Sequence, residues 1–232
     1  NMTALFKGCT NLGNQNMTTG SGETVKIGIP IGFFYWCTKV TNISHVFDGC
    51  KNILNQSLKS LNSYLFAKNT ELSNISYAFA NSSFGALIDA DSNEGGKIFG
   101  NCTKIEDASY LFANAEATYN EEFSNPCFIY DSPILKNIEG MYSNFKSYIF
   151  LGYTGSYNTG MNWDRMDEYM PSLQNCSKLF YNCTKLGGDT DTANVLSVIN
   201  SFNRIDTLTN HAQAFYNCTK LPNYSSIPTG WK

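Results

Sequence analysis

Apolar positions along this chain recur in a short block rather than in long runs. In the stretch Asn42-Ile-Ser-His-Val-Phe-Asp-Gly-Cys50, the residues Ile43, Val46, Phe47 and Cys50 fall at i, i+3, i+4 and i+7. That spacing predicts one face of a short helix. Asn42 stands where an N-cap belongs, its side chain placed to accept a backbone N–H. Gly49 limits the helix to two or three turns. A helix that short is unstable alone, so its Phe must be buried by neighbouring segments, worth roughly 1.5–3 kcal/mol for each such ring.

The block returns along the whole chain in one register. A short polar residue opens each copy: Asn1, Asn42, Asn74, Asp107, Asn137, Asn175 and Asn210. Five residues later stands an aromatic, Phe6, Phe47, Phe79, Phe112, Tyr142, Phe180 or Phe215, always preceded by an apolar residue. The aromatics are 41, 32, 33, 30, 38 and 35 residues apart. Seven copies at a period of about 33 residues predict a repeat architecture in which the aromatics form one structural ladder. Residues 1–232 read as a single repeat domain, about six full repeats plus a partial N-terminal one, expected to be part of a longer chain.

A looser half precedes each block. An aliphatic residue stands seven before the aromatic (Val40, Leu72, Ile105, Leu135, Leu173, Leu208). It predicts a very short extended segment, as in 38–41 and 204–208, forming one rung of a narrow parallel sheet. Six residues further back lie Phe34, Phe66, Phe99, Ile129, Asp167 and Phe202; Met166 and Tyr169 are close enough to stand in for Asp167. Segments 56–66 and 192–202 have helical spacing. Segments 13–32 and 149–164, rich in Gly, Thr, Tyr and Asn, read as loops, the places where repeat proteins often carry binding function.

The carriers Val40-Thr-Asn-Ile-Ser-His-Val-Phe-Asp-Gly-Cys50 and Ala214-Phe-Tyr-Asn-Cys-Thr-Lys-Leu-Pro222 resemble the BspA-like branch of leucine-rich-repeat proteins, and the related repeats of mycoplasma surface lipoproteins. The resemblance implies an α/β repeat solenoid, a right-handed stack of short parallel strands and short helices. It also implies life outside the cell, on a bacterial surface or a virion. The period is longer than the family's and the aliphatic ladder sparser, so a stack of helix pairs stays open as the alternative fold.

Composition narrows the function further. Net charge is −3 and the basic residues are scattered, so no footprint for nucleic acid is visible. No apolar run is long enough to span a bilayer, and no membrane insertion is expected. Seven of the eight cysteines (Cys9, Cys37, Cys50, Cys102, Cys176, Cys183, Cys218) precede an aliphatic residue by three positions. Equivalent sites hold Ser82, Ala115, Phe145, Met170 or Ile205. A site that exchanges Cys for Ala or Met is a packing site, because a disulfide needs two sulfurs at fixed geometry. No Cys-x-x-Cys pair offers a structural zinc site.

Candidate chemistry is sparse. Asp89, Asp91 and Asn93 alternate oxygen ligands like the start of a calcium loop, but Glu94 and Gly100 occupy positions where that loop needs Gly and Glu. A solvated acidic turn is the reading preferred; Asp189 and Asp191 form a weaker pair of the same kind. His45 and His211 are the only histidines and occupy different phases of the repeat, giving little support to a His-dependent nucleophile. Glu121 with Glu122, and Asp164 with Asp167 and Glu168, read as charged turns rather than a glycosidase pair. Tyr153, Tyr157 and Trp163 sit among small polar residues and are the candidate binding residues of a recognition loop. Asn-x-Ser/Thr sequons follow from the repeat itself and indicate glycosylation only weakly. The reading is a non-catalytic scaffold with no cofactor and no metal, exposed at a surface, that binds a protein or glycan on a cell surface. The alternative is a structural component of a virion or bacterial surface layer, its partners the other subunits of that assembly.

Overall fold

A computed structural model describes residues 1–12, 15–18, 22, 24–27, 33–34, 36–51, 53, 65–66, 68–84, 98–99, 101–117, 122–123, 132–149, 151, 163–187 and 194–232. Its framework is seven nine-residue units, 1–9, 42–50, 74–82, 107–115, 137–145, 175–183 and 210–218, laid one on the next.

These units are not helices. Within 42–50 the backbone closes three overlapping turns: Val46 N–H to Ile43 C=O (3.0 Å), Asp48 to His45 (3.2 Å) and Cys50 to Phe47 (3.0 Å). The fourth residue of every unit has positive φ (Ala4, His45, Tyr77, Tyr110, Gly140, Lys178, Gln213), and so has the eighth (Gly8, Gly49, Asn81, Asn114, Asn144, Asn182, Asn217). A left-handed residue every fourth position cannot continue a right-handed helix. Asn and Gly at the eighth place are the residues that tolerate this conformation best. The first residue caps a turn instead of a helix: Asn42 Oδ1 accepts the Ser44 N–H at 2.8 Å, and Asn74, Asp107, Asn137 and Asn175 repeat the contact at 2.9–3.0 Å.

The N–H groups that the turns do not use reach the next unit. Ile43, His45, Phe47 and Gly49 donate to the carbonyls of Asn74, Ser76, Ala78 and Ala80 at 2.8–3.0 Å. The same four-bond pattern links all six neighbouring pairs of units, always from the N-terminal unit to the C-terminal one. Two bonds run the other way beside it, as from Ser73 and Asn74 N–H to Thr41 C=O. The extended rung expected at 38–41 is therefore reduced to single parallel bridges at the opening residue: Asn42↔Asn74↔Asp107↔Asn137↔Asn175↔Asn210. Paired strands occur after the units instead. Ser83–Phe84 pairs in parallel with Glu116–Ala117, and Glu122–Phe123 with Tyr148–Ile149.

Inside the stack the sixth residues form a column. Successive ring centroids from Phe6 to Phe47, Phe79, Phe112, Tyr142, Phe180 and Phe215 lie 5.4–5.6 Å apart. Phe34, Phe66 and Phe99 stack beside it at 4.9 and 5.5 Å. Further along the chain Met166 is fully buried, whereas Asp167 turns outward to Arg204. None of the seven described cysteines forms a disulfide. The ninth-place thiols of Cys50, Cys183 and Cys218 donate to the carbonyls of Phe6, Tyr142 and Phe180, the aromatics one unit earlier, at 2.8–2.9 Å. Burial pushes Cys50 up to about 11 and Cys102 and Cys183 up to about 12, so these thiols stay protonated.

Among the described residues, α-helix is confined to Met166–Tyr169 and Val195–Asn203. The latter falls in the segment whose spacing predicts it, and Asn194 caps it through the Leu196 N–H. The stack of helix pairs is thereby excluded for the described units. The expected loop 13–32 contains an antiparallel pair, Gln15–Thr18 with Thr24–Ile27. Alternating Thr, Val, Lys and Ile in the second strand has the strand period that the Gly-rich surroundings obscured.

Candidate recognition surface

The turn units place the same backbone position of each repeat in one row, so a surface row is read across units. The fourth residue, forced outward by its left-handed backbone, builds the most distinctive one. His45 stacks on Tyr77 at 4.6 Å and Tyr77 on Tyr110 at 4.9 Å, nearly parallel. All three are partly exposed. Tyr110 then lies over Gly140, where an added Cβ would come within 2.3 Å of its ring. Its hydroxyl donates to Glu139 Oε1 at 2.7 Å, and Asn175 Nδ2 donates to the other oxygen at 3.2 Å. Burial, then the Glu139 carboxylate, raises the Tyr110 phenol above its ordinary range.

At the other end of the row Asp48, nearly buried, accepts from Lys7 Nζ and His45 Nδ1 at 2.9 Å and from Asn81 Nδ2 at 2.7 Å. Burial would raise its carboxyl, but the hydrogen bonds from Asn81, Lys7 and His45 outweigh burial and hold it below its ordinary value. Next to this row runs a polar one, residues Thr41, Ser73, Glu106, Lys136, Gln174 and Thr209. Lys136–Glu106 (2.7 Å) ties adjacent coils in this row, and Lys104–Glu71 (2.8 Å) does so two residues earlier in the repeat. On the opposite flank Asn114 donates to Asn81 (3.0 Å), Asn182 to Asn144 (2.8 Å) and Asn217 to Asn182 (2.6 Å).

The residues expected to bind are placed differently. Trp163 is only 2% exposed, packed edge-on against Phe180 at 5.1 Å, and belongs to the core rather than to a recognition loop. Its neighbours in sequence promised a wet loop, but the short turn Trp163–Arg165 and the Val195–Asn203 helix pack it inward. Tyr153 and Tyr157 lie outside the described residues, as do Asp89, Asp91 and Asn93, Asp189, Asp191 and Glu121. Asp167 is held by Arg204 at 2.7 and 2.8 Å, and Glu168 by Arg165, so these carboxylates are paired with cations rather than with each other. His211 stacks on Trp231 at 4.2 Å, five units from His45. Among the described residues no three His, Cys, Asp or Glu side chains gather into a metal site, and no helix is long and apolar enough to cross a membrane. The row His45–Tyr77–Tyr110–Gly140 escaped the sequence reading because it is visible only when one phase is compared across copies. No protein-family model, curated protein or solved structure matches the chain.

Proposed function

We propose that this chain is a repeat solenoid of the leucine-rich-repeat kind, similar to BspA-like proteins, and acts outside the cell as a non-catalytic scaffold that recognises a macromolecule on a cell surface. The observation that carries the reading is the continuous outer face formed by the His45–Tyr77–Tyr110 row and the mixed-charge row beside it. Side chains there are spaced by the backbone ladder and held by neighbours, so the face is pre-organised, which lowers the ordering cost of binding. The stacked rings cover one another and offer edges to solvent. A sugar needs ring faces, so the face favours a protein partner over a glycan.

The test is binding of the labelled full chain to intact cells and to a glycan array. Thr41→Arg and Gln174→Arg add bulk to exposed positions of the face without touching the ladder. Each is expected to abolish cell binding while Ser225→Arg, at the C-terminal end, leaves it intact and all three keep the wild-type melting temperature. Unchanged binding by both face variants would remove the proposal, and signal confined to the glycan array would move the partner class. The structural-component reading, in a virion or surface layer, is supported by one feature: Leu5, Phe33 and Trp36 are large apolar residues exposed by 52%, 50% and 84%.

A further inference from the structure

The row His45–Tyr77–Tyr110 carries chemistry that its role as a recognition face leaves unused. Tyr77 and Tyr110, in units 74–82 and 107–115, stack with ring centroids 4.9 Å apart and 15° between their planes. Both are partly exposed. His45 covers the other face of Tyr77, so Tyr110 is the tyrosine that Tyr77 meets. The Tyr110 hydroxyl donates to Glu139 Oε1 at 2.7 Å, within the reach over which a positioned base takes a proton. Asn175 Nδ2, one coil further on, donates to Oε2 at 3.2 Å and aims the carboxylate. Among the described residues no cation pairs with Glu139.

A second pair isolates what Glu139 adds. Tyr181 and Tyr216, in units 175–183 and 210–218, also stack at 4.9 Å, with 12° between planes. Both are at least partly exposed. Among the described residues neither of these hydroxyls donates to a carboxylate. The difference matters because a phenol that keeps its proton holds its electron tightly; the electron leaves readily when the proton can leave with it. Both phenols of the first pair keep theirs. Burial, then Glu139, raises Tyr110, and burial, then Glu139, Asp107 and Asp48, raises Tyr77.

We propose that Tyr77 and Tyr110 are an oxidative modification site, where a haem peroxidase with hydrogen peroxide joins the two rings into a dityrosine bridge and Glu139 accepts the Tyr110 proton. Each ring gives one electron to the peroxidase and loses its phenol proton, that of Tyr110 to Glu139 and that of Tyr77 to water. The two radicals couple through one carbon ortho to each hydroxyl, forming a single C–C bond. The hydrogens on those carbons then move to the phenol oxygens and restore both aromatic rings. The two electrons and two protons released reduce hydrogen peroxide to two waters. Rings already in contact react as if at high effective concentration, so the bond forms within one chain ahead of any bond between chains. It ties unit 74–82 to unit 107–115 covalently and restricts the unfolded chain as a disulfide does. The inference needs the row to be exposed and does not depend on its binding a partner.

The experiment treats the dilute full chain with a haem peroxidase and limiting hydrogen peroxide, then digests it with trypsin. Cleavage at Lys104 separates Tyr77 from Tyr110, and cleavage at Arg204 separates Tyr181 from Tyr216. Mass spectrometry therefore reads each bridge as a joined pair of peptides lacking two hydrogens. The Tyr77–Tyr110 bridge is expected in the monomer, forming several-fold faster than the Tyr181–Tyr216 bridge. Glu139→Gln still accepts the hydrogen bond but takes no proton, and is expected to slow the first bridge several-fold while leaving the second unchanged. Tyr77→Phe is expected to abolish the first. A Tyr77–Tyr110 bridge that is absent from the monomer, or forms no faster than Tyr181–Tyr216, overturns the proposal. So does a Glu139→Gln rate equal to wild type, or an equal yield in urea, where the contact is lost. Should Glu139→Gln alter the circular dichroism, the comparison of the two pairs in wild type decides alone.

Discussion

Phe79→Ala tests whether the aromatic column holds the stack together. The Phe79 ring is 1% exposed and lies between Phe47 at 5.4 Å and Phe112 at 5.5 Å, with Phe99 edge-on at 6.5 Å. Removing it forfeits transfer free energy and opens a cavity, together about 3–5 kcal/mol for a buried aromatic. The upper part of that range is expected here. Two stacked pairs are lost, at roughly 0.5–1.5 kcal/mol each beyond area, and the units cannot close on the gap. Their separation is fixed by the bonds from Phe47 N–H to Ala78 C=O (2.8 Å) and Phe79 N–H to Leu111 C=O (2.9 Å). Urea unfolding reads the loss as a lower midpoint at unchanged slope. A nearest-neighbour stack makes a second demand. Phe79→Ala with Phe112→Ala should show a coupling of roughly 0.5–3 kcal/mol, while Phe79→Ala with Phe215→Ala should add to within about 0.5 kcal/mol. A loss below about 1 kcal/mol, the level of an ordinary substitution, refutes the column, and equal coupling to both partners refutes its one-dimensional character.

Gly140→Ala is expected to destabilise by roughly 1–3 kcal/mol, the cost of a residue held in a strained backbone region, and to displace Tyr110 from Glu139; because the clash is with that ring, Tyr110→Ala in the same chain should return part of the loss in a thermal melt. For Asp48 the folded-state carboxyl lies below its unfolded value, so its stabilisation is complete above the unfolded pKa of about 3.9 and disappears as pH falls through the folded value. Melting temperature should therefore drop on acidification below about pH 4, with Asp48→Asn losing less over that window than wild type; an equal loss in both would show that Asp48 does not carry it.

Much of the framework is legible in the amino-acid sequence. The register of Asn42, Phe47 and Cys50 against their counterparts located all seven units, the aromatic column and the packing role of Cys50, Cys102, Cys176, Cys183 and Cys218, because stacked copies must agree in phase; Cys9, which is exposed, and Cys37, which is half-buried, depart from it. Of the two residues read as able to stand in for Asp167, Met166 is fully buried and Tyr169 only partly so. Trp163 was not legible, since its burial depends on the Val195–Asn203 helix far along the chain, and no local pattern announces that contact. The His45–Tyr77–Tyr110 row was hidden by its variety: the fourth place holds Ala, His, Tyr, Gly, Lys and Gln, a set united by backbone conformation rather than by chemistry.

That same backbone explains why the units read as helices. Spacing of i, i+3, i+4 and i+7 requires only that these positions share a side, and three overlapping turns satisfy it as well as two turns of helix do. The distinction lies in the fourth and eighth residues. A helix wants neither Gly nor Asn in its interior, yet the eighth place is Gly8, Gly49, Asn81, Asn114, Asn144, Asn182 and Asn217 without exception. In a helix each of those would weaken the element; at positive φ each is the residue best suited. The physical consequence reaches the whole stack. A helix spends its N–H groups on itself, and the units could then meet only through side chains. With a left-handed residue at every fourth place, unit 42–50 keeps three N–H groups within itself, those of Val46, Asp48 and Cys50, and gives four to the next unit, and those four make the ladder and its one direction.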